Sequence, residues 1–179
     1  EIQDDFYDNL YYNRDKNKSN TRSLRNFHNY IKSLLIKNVS SPGDILVDMA
    51  VGKAGDLFKW QEAKLSFILG IDVNRDNIEN KIDGACVRYL ELRKNYKDSL
   101  RALFVNGDSS LNIRTTQAFT KTSDIMVVNS VFGNGTNDKL PNGVKNHFAI
   151  AIDGFNITSC QFALHYFFKQ QDILLNFLS

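Results

Sequence analysis

The chain is poor in features that several classes of protein require. Its 179 residues include only two cysteines, Cys86 and Cys160, which are too few for a disulfide framework and are typical of a reducing compartment. Its three histidines lie without cysteine clustering, so the sequence has no zinc signature. No apolar run approaches a membrane span, and we expect no signal peptide. These absences argue against a disulfide-rich secreted domain, a zinc module and a membrane-embedded protein.

What is present is an ordinary globular composition with an uneven charge. Hydrophobic residues make up 42% and charged residues 23%, which is enough to bury the core of one domain. The formal net charge is +2, but acidic residues cluster within residues 1–10 and basic residues within 14–37, among aromatic side chains. Such a basic segment can hold phosphates and stack a base. A solvated helix face with aromatic core positions explains the same pattern.

Apolar patterning predicts strands that alternate with helices. Helices are expected over residues 22–37, 55–63, 78–95 and 169–178. Strands are expected over residues 45–49, 66–72 and 102–106, with a fourth within 153–160. Residues 125–128 also have the composition of a strand. The predicted class is α/β, with parallel strands joined by right-handed crossovers.

The domain organisation follows from the same pattern. We expect an N-terminal basic and aromatic arm with a helix over residues 1–40, and a core over residues 41–179. Loop-forming sequences between strands three and four predict an insertion at about residues 111–152.

The most informative segment is residues 45–60 (ILVDMAVGKAGDLFKW). A short apolar strand ends at Asp48, a turn of small residues follows, and a helix opens at Asp56. This geometry aims backbone N–H groups and the positive end of a helix dipole at a ligand. Because Gly52-Lys53 is not followed by Ser or Thr, the segment is not a P-loop.

Two further acids follow strands two and three. Asp72 ends the second strand and Asp108 follows the third, so both are expected at the edge where open parallel sheets bind ligands. A carboxylate at Asp72 can accept both hydroxyls of a ribose, and the region of Asp108 can accept the amino group of adenine. Alternatively, both acids cap the helices that follow. The combination with the glycine loop favours a nucleoside site.

A second cluster, residues 161–168 (QFALHYFF), follows the fourth strand. Its position predicts that His165 and Tyr166 lie at the ligand edge. Ordinary packing of His165 and its aromatic neighbours in the core is the alternative.

Three blocks together resemble the catalytic domain of mRNA cap guanine-N7 methyltransferases, and the likeness is closest to capping enzymes of large DNA viruses. The blocks are residues 24–32 (LRNFHNYIK), 47–60 (VDMAVGKAGDLFKW) and 160–166 (CQFALHY). The resemblance implies a Rossmann-like class I fold that uses S-adenosylmethionine (AdoMet), here with about four of the usual seven strands. The loop block is shared widely among AdoMet enzymes, whereas the third block is more specific to this family.

The resemblance also implies roles for individual residues. The expected AdoMet-binding residues are Lys32, Asp48, Ala50, Gly52, Asp72, Asp108, Gln161 and Tyr166. The expected cap-binding residues are His28, Asn29, His165 and Tyr166. No residue is expected to act as an acid or base, because guanine N7 already presents a lone pair, and His165 and Tyr166 would orient the reactants. No metal is expected.

The loop departs from the family pattern, which is usually Gly-x-Gly-Lys-Gly-Gly-Asp. Ala50 and Ala54 stand where the family prefers glycine, and a methyl group there can obstruct a close backbone approach or a left-handed conformation.

The resemblance further implies partners and a location. It implies capped RNA as a partner, with other capping domains on the same polypeptide or a stimulatory subunit, and no membrane. The expected location is the host cytoplasm or virion for a viral protein and the nucleus for a cellular one. Two alternatives remain: another AdoMet methyltransferase that acts on a small molecule, and a non-catalytic subunit with a methyltransferase fold.

Overall fold

The computed structural model describes residues 21–96, 100–136, 138 and 140–178. The chain divides into two units, Glu1–Leu35 and Ile36–Ser179, and each is described by itself. Most of the predicted basic arm, residues 1–20, lies outside the described residues.

One helix, α1 (Arg22–Val39), accounts for the described part of the N-terminal unit and continues into the second unit. The helix predicted over residues 22–37 is therefore confirmed. After its last turn the Ser40 hydroxyl donates to the carbonyl of Ile36 over 2.7 Å. The chain then turns at Gly43, whose φ of +95° is accessible to glycine at little cost.

Four parallel strands form the sheet of the second unit. They are β1 (Ile45–Asp48), β2 (Phe67–Asp72), β3 (Arg101–Asn106) and β4 (Ile157–Ser159). Their order is β3-β2-β1-β4, and every neighbouring pair is parallel. The chain moves outward from β1 to β3 and then returns to the other side of β1. The crevice beside the carboxyl end of β1 is thus the switch point at which such sheets bind ligands. The predicted α/β class is confirmed.

Seven further elements lie between and after the strands in the described part of the chain. They are α2 (Leu57–Glu62), α3 (Arg75–Glu79), α4 (Ala85–Asn95), α5 (Thr122–Val131), α6 (Asn142–Lys145), a 3₁₀ turn (Leu164–Phe168) and α7 (Gln171–Leu178). No helix within the described ranges is long and apolar enough to cross a membrane.

The core is divided between the two faces of the sheet. Along β2, Phe67 and Leu69 pack on one face and Ile68 on the other, and all three are fully buried. The first face is covered by α5, and the second by α2 and α4, with Trp60 at 0% exposure. Burial on both faces is why the strands are almost uniformly apolar.

The single helix expected over residues 78–95 is wrong, since two helices, α3 and α4, lie there. The break falls before Gly84, where a Cβ would come within 2.6 Å of the carbonyl oxygen of Asn80. The Asn80 side chain also accepts the N–H of Ile82 over 2.9 Å, so it satisfies backbone groups that a continuous helix would have paired.

The strand expected at residues 125–128 is also wrong, because these residues lie within α5. Val128 and Val131, three positions apart, are both fully buried against the sheet. A short β-branched run does not distinguish a buried helix from a strand by composition, and here packing decides. The insertion predicted at 111–152 stays a prediction.

Candidate functional site

The loop after β1 folds back over the end of β2. The N–H of Val51 donates to the carbonyl of Ile71 over 2.9 Å, and the N–H of Gly52 donates to Oδ2 of Asp72 over 2.7 Å. This approach requires a glycine in β2, because a Cβ on Gly70 would lie 2.9 Å from Cγ2 of Val51. Gly52 itself has a φ of +55°. The loop is therefore held against the neighbouring strand by one backbone–backbone bond and one bond to the carboxylate of Asp72.

The carboxylate of Asp72 accepts hydrogen bonds from several segments of this site. Its side chain is 8% exposed, and its Oδ1 accepts the N–H of Asn74 over 2.9 Å and the Nδ2 of Asn77 over 3.0 Å. Asn74, not Asp72, caps α3, since its side chain accepts the N–H of Asp76. The helix-cap alternative for Asp72 therefore does not hold, and the carboxylate instead joins loop, strand and helix at the ligand edge.

Asp48 is more deeply buried, at 2% exposure. Its Oδ1 accepts the N–H of Ala50 over 3.1 Å, and its Oδ2 accepts the hydroxyl of Ser159 over 3.2 Å. Ser159 ends β4, and its carbonyl accepts the N–H of Met49 over 2.8 Å. The carboxylate of Asp48 thus ties the start of the loop to the strand across the switch point.

Asp108 lies exposed just beyond β3, where its Oδ1 accepts both the N–H and the hydroxyl of Ser110 over 2.9 and 2.7 Å. No helix starts there, so Asp108 is not a helix cap either. Ser109 is buried, and its hydroxyl donates to the carbonyl of Met49 over 2.6 Å. This bond places the segment that contains Asp108 against the loop after β1.

The two alanines of the loop differ in conformation. Ala54 has a φ of +52° and is fully buried, whereas the φ of Ala50 is not positive. A left-handed conformation costs a residue with a Cβ roughly 1–2 kcal/mol. The concern about a left-handed conformation therefore applies to Ala54 and not to Ala50.

Lys53 is a residue of this loop that the sequence interpretation missed. It is 7% exposed, and its Nζ lies 2.8 Å from Oδ1 of Asp83 and 3.7 Å from Oδ2 of Asp76. The Arg88 guanidinium donates to the carbonyl of Lys53 over 2.9 Å. These partners hold the loop against α3 and α4. They lie 23 to 35 positions away in the sequence, so no local sequence pattern predicts the pairing.

The segment after β4 combines a half-buried thiol with a strained backbone. Burial, with a contribution from Asp48, raises the pKa of the Cys160 thiol to about 11. Burial also raises the pKa of the Cys86 thiol. Gln161 is half-buried, and Phe162 has a φ of +59°, which is unusual for a bulky residue. Such strain is concentrated at functional sites.

The 3₁₀ turn after Phe162 exposes two of the predicted site residues. His165 and Tyr166 are both exposed, with ring centroids 4.1 Å apart, whereas Phe167 is buried and stacks on Phe177 at 3.9 Å. Core packing of His165 is therefore not what the structure shows. One aromatic residue anchors the turn, and the neighbouring His–Tyr pair faces solvent.

The remaining predicted residues lie in the N-terminal unit. His28, Asn29 and Lys32 share one face of α1, because positions three and four apart are neighbours on a helix. In the second unit, the structure brings Asp48, Ala50, Gly52, Asp72 and the Asp108 segment together at the carboxyl edge. The described residues contain no group of acids, histidines and cysteines that could hold a metal.

A parallel α/β sheet, with a loop bonded to Asp48 and Asp72 at its switch point, defines a Rossmann-like fold class. Within that class the chain belongs to the mRNA (guanine-N(7))-methyltransferase domain family, whose model matches residues 3–178.

Individual relatives agree with the family. The chain is 29% identical over 156 residues to a "Probable mRNA-capping enzyme" of Acanthamoeba polyphaga mimivirus, which covers 87% of this chain and 12% of that protein. It is 30% identical over 143 residues to "mRNA cap guanine-N(7) methyltransferase 1" of Oryza sativa subsp. japonica, covering 80% of this chain and 30% of that protein. A Schizosaccharomyces pombe "mRNA cap guanine-N(7) methyltransferase" is 28% identical over 153 residues, with 83% and 32% covered. The matches span less than a third of the length of these relatives.

Proposed function

We propose that this chain binds AdoMet at the carboxyl edge of its sheet and takes part in methyl transfer to guanine N7 of the GpppN cap. The observation that carries the proposal is the network in which Asp72 and Asp48 fix the loop that contains Gly52 across the switch point. Membership of the cap methyltransferase family supports this choice of cofactor and acceptor.

The residues at this edge fit a nucleoside ligand. Asp72 keeps a carboxylate at the end of β2, where ribose hydroxyls would share its oxygens with the backbone N–H groups that it already accepts. Gly52 presents backbone without a Cβ beside it, and exposed Asp108 stands next to the same loop. Asp48 would act mainly by fixing the loop, because its oxygens bond Ala50 and Ser159.

AdoMet, when bound, supplies an electrophilic methyl group whose departure neutralises a positive charge. The residues of the chain need only bind, orient and exclude water, because N7 of guanine requires no deprotonation. Alignment of this kind accounts for roughly 7–11 kcal/mol of a barrier. In this proposal Gln161 and Lys32 contact the cofactor, while His28, Asn29, His165 and Tyr166 contact the cap.

The corresponding partner is the capped 5′ end of an RNA. The match covers 12% of the mimivirus relative, named "Probable mRNA-capping enzyme", so attachment to further capping domains is the first arrangement to test. Such a chain would act where transcripts are capped, in the host cytoplasm or virion for a virus and in the nucleus for a cell.

The proposal predicts that Asp72→Ala reduces cofactor binding at least about tenfold, since it removes the acceptor for both ribose and Gly52. Isothermal titration calorimetry with S-adenosylhomocysteine measures this loss. Asp153→Ala, an exposed acid before β4, is the matched control and should bind like the parent chain. A folded parent chain that binds no S-adenosylhomocysteine would overturn the cofactor assignment.

A second candidate function is that of a non-catalytic subunit with a methyltransferase fold. The left-handed Ala54, where the family prefers glycine, favours it. Calorimetry separates the two, because a scaffolding subunit has no need to bind S-adenosylhomocysteine. Competition of methyl transfer by GpppG in turn separates cap methylation from methylation of a small molecule.

A further inference from the structure

The side chain of Asn77 lies against the carboxylate of Asp72. Asn77 belongs to α3 and is 5% exposed, and its Nδ2 donates to Oδ1 of Asp72 over 3.0 Å. Because an ionised carboxylate can only accept, the amide nitrogen of Asn77 and not its oxygen must face Asp72. Asn77 is therefore a buried donor to the acid that is proposed to receive the ribose hydroxyls.

The backbone of Asp72 is held by a different set of bonds, which come from the end of β3. The Nδ2 of Asn106 donates to the carbonyl of Asp72 over 2.9 Å and to the carbonyl of Val73 over 2.8 Å. The N–H of Gly107 also donates to the carbonyl of Asp72, over 3.0 Å. These bonds fix the backbone of Asp72 without Asn77, so we infer that Asn77 acts on the Asp72 side chain.

The rotation of the Asp72 carboxylate depends on hydrogen bonds. The terminal torsion of an aspartate has a broad distribution, so rotamer preference alone does not select one orientation. Two donors are backbone N–H groups, from Gly52 to Oδ2 over 2.7 Å and from Asn74 to Oδ1 over 2.9 Å. Asn77 adds a donor from α3 on the oxygen that Asn74 also uses. Of these three donors, Asn77 is the one that a side-chain substitution removes.

The orientation of this carboxylate matters because the two hydroxyls of a ribose lie on neighbouring carbons. They meet a carboxylate in good geometry only when its plane is set correctly. An acceptor that is already oriented before binding loses little entropy when the ligand enters. A site built to accept a hydroxyl also rejects an analogue that lacks it, because a buried polar group is then left without that bond.

We propose that Asn77 is a positioning residue that orients Asp72 and thereby makes the site selective for a nucleoside with intact ribose hydroxyls. The inference rests on the proposed function, in which Asp72 is the ribose acceptor. Asn77 does not touch the ligand in this proposal and acts only through Asp72. It extends the site to a residue of α3 that the sequence interpretation did not include.

Calorimetry of the full chain with two ligands tests the proposal. The ligands are S-adenosylhomocysteine and its 2′,3′-dideoxy analogue, which lacks both ribose hydroxyls. The parent chain should prefer S-adenosylhomocysteine at least about tenfold, because hydrogen bonds to a charged acceptor are lost with the analogue. Asn77→Leu removes the donor at similar side-chain volume. It should reduce the preference to less than about threefold, since the residue and the hydroxyls are coupled through Asp72.

A substitution at the neighbouring residue separates positioning from a structural role. Ile78 is 3% exposed and belongs to the core on the same helix as Asn77. Ile78→Val loosens the packing of α3 but keeps the side chains of Asn77 and Asp72, so the preference should stay within about twofold of the parent value. An equal weakening of both ligands by Asn77→Leu, or an equal loss of preference in Ile78→Val, would mean that Asn77 only supports the fold.

Asn77→Asp provides a second test that does not depend on whether Asn77→Leu folds. It keeps the shape of the side chain, and the neighbouring Asp72 raises the pKa of the introduced carboxyl. Above that pKa the two carboxylates repel each other, and affinity for S-adenosylhomocysteine should fall at least about tenfold. Below it the introduced carboxyl is again a donor.

The affinity of Asn77→Asp should therefore recover as the pH is lowered from about 8 to about 5. The parent chain, which keeps the amide, should change by less than about twofold over the same range. Circular dichroism at each pH checks that both chains are folded. A loss of affinity that does not recover at low pH would contradict the positioning role.

The outcomes distinguish this inference from the proposed function. A folded parent chain that binds neither ligand overturns both. A parent chain that binds the two ligands equally overturns the ribose contact of Asp72, and with it the role of Asn77. A parent chain that prefers S-adenosylhomocysteine, with an Asn77→Leu variant that keeps the full preference, overturns the role of Asn77 and leaves the cofactor assignment intact.

Discussion

At the scale of single residues, the loop after β1 depends on which positions are left-handed. Gly52 and Ala54 both have positive φ, yet only one of them is a glycine. Gly52 also donates its N–H to Asp72, so its conformation determines whether the carboxylate and the loop meet. Lys53, between them, is buried with two carboxylate neighbours. Residues 52–54 therefore combine two positive φ angles with a buried lysine whose charge is paired.

We expect Gly52→Ala to lower the free energy of unfolding by about 1–2 kcal/mol, because a Cβ is unfavourable at positive φ. Gly55→Ala is the matched control. Gly55 is not at positive φ, and a Cβ there would meet nothing within 4 Å, so the variant should gain up to about 1 kcal/mol. Urea denaturation followed by the fluorescence of buried Trp60 measures both. Equal effects in the two variants would contradict the conformational argument.

At the scale of elements, different residues of the turn after β4 pack into the protein and face solvent. Phe167 packs inward, while the rings of His165 and Tyr166, which precede it in the same turn, are exposed. A short 3₁₀ turn has three residues per turn, so consecutive side chains point in different directions. The turn can therefore be fixed by one residue while two others meet a ligand.

His165→Ala and Tyr166→Ala should each lower kcat/KM for GpppG methylation at least about tenfold, since they remove alignment and not a proton carrier. Phe168→Ala, also exposed on this turn, should leave kcat/KM nearly unchanged. Steady-state kinetics across pH provides the decisive check. A sharp pH optimum that disappears in His165→Ala would show acid–base catalysis and contradict the proposal.

The elements that were predictable from sequence are those whose signal is local. All four strands were found within a few residues, because parallel strands buried on both faces are short apolar runs. The break before Gly84 and the helical state of α5 were missed, because a close backbone contact and packing on the sheet decide them. The ion pairs of Lys53 and the Ser109 bond to Met49 were missed for the same reason. The roles of the site residues remain predictions.

At the scale of the whole molecule, His147 couples folding to pH. Burial holds the pKa of its imidazole below the ordinary value, so the folded state binds fewer protons than the unfolded state. Stability is then fully present above about pH 6.5, the unfolded pKa, and is lost as pH falls toward the folded pKa.

The expected slope from this one group is at most about 1.4 kcal/mol per pH unit. Urea denaturation between pH 5 and 7.5 should show it in the parent chain and in His165→Gln, and the slope should shrink in His147→Gln. If His147→Gln folds and keeps the full slope, another group is responsible.

The raised pKa values of Cys86 and Cys160 have a consequence for how the protein can be handled. Thiol reagents attack the thiolate, and a pKa of about 11 at Cys160 leaves roughly one thiol in 3,000 ionised at pH 7.5. The raised pKa also lowers the thiolate fraction of Cys86, so both native cysteines should be alkylated more slowly than an exposed cysteine with an ordinary pKa. A single cysteine introduced at an exposed position such as Lys169, beside the turn that carries His165 and Tyr166, can then accept a fluorophore while the native thiols stay in place. The surface where a cap is proposed to bind can therefore be labelled site-specifically without replacing the native cysteines.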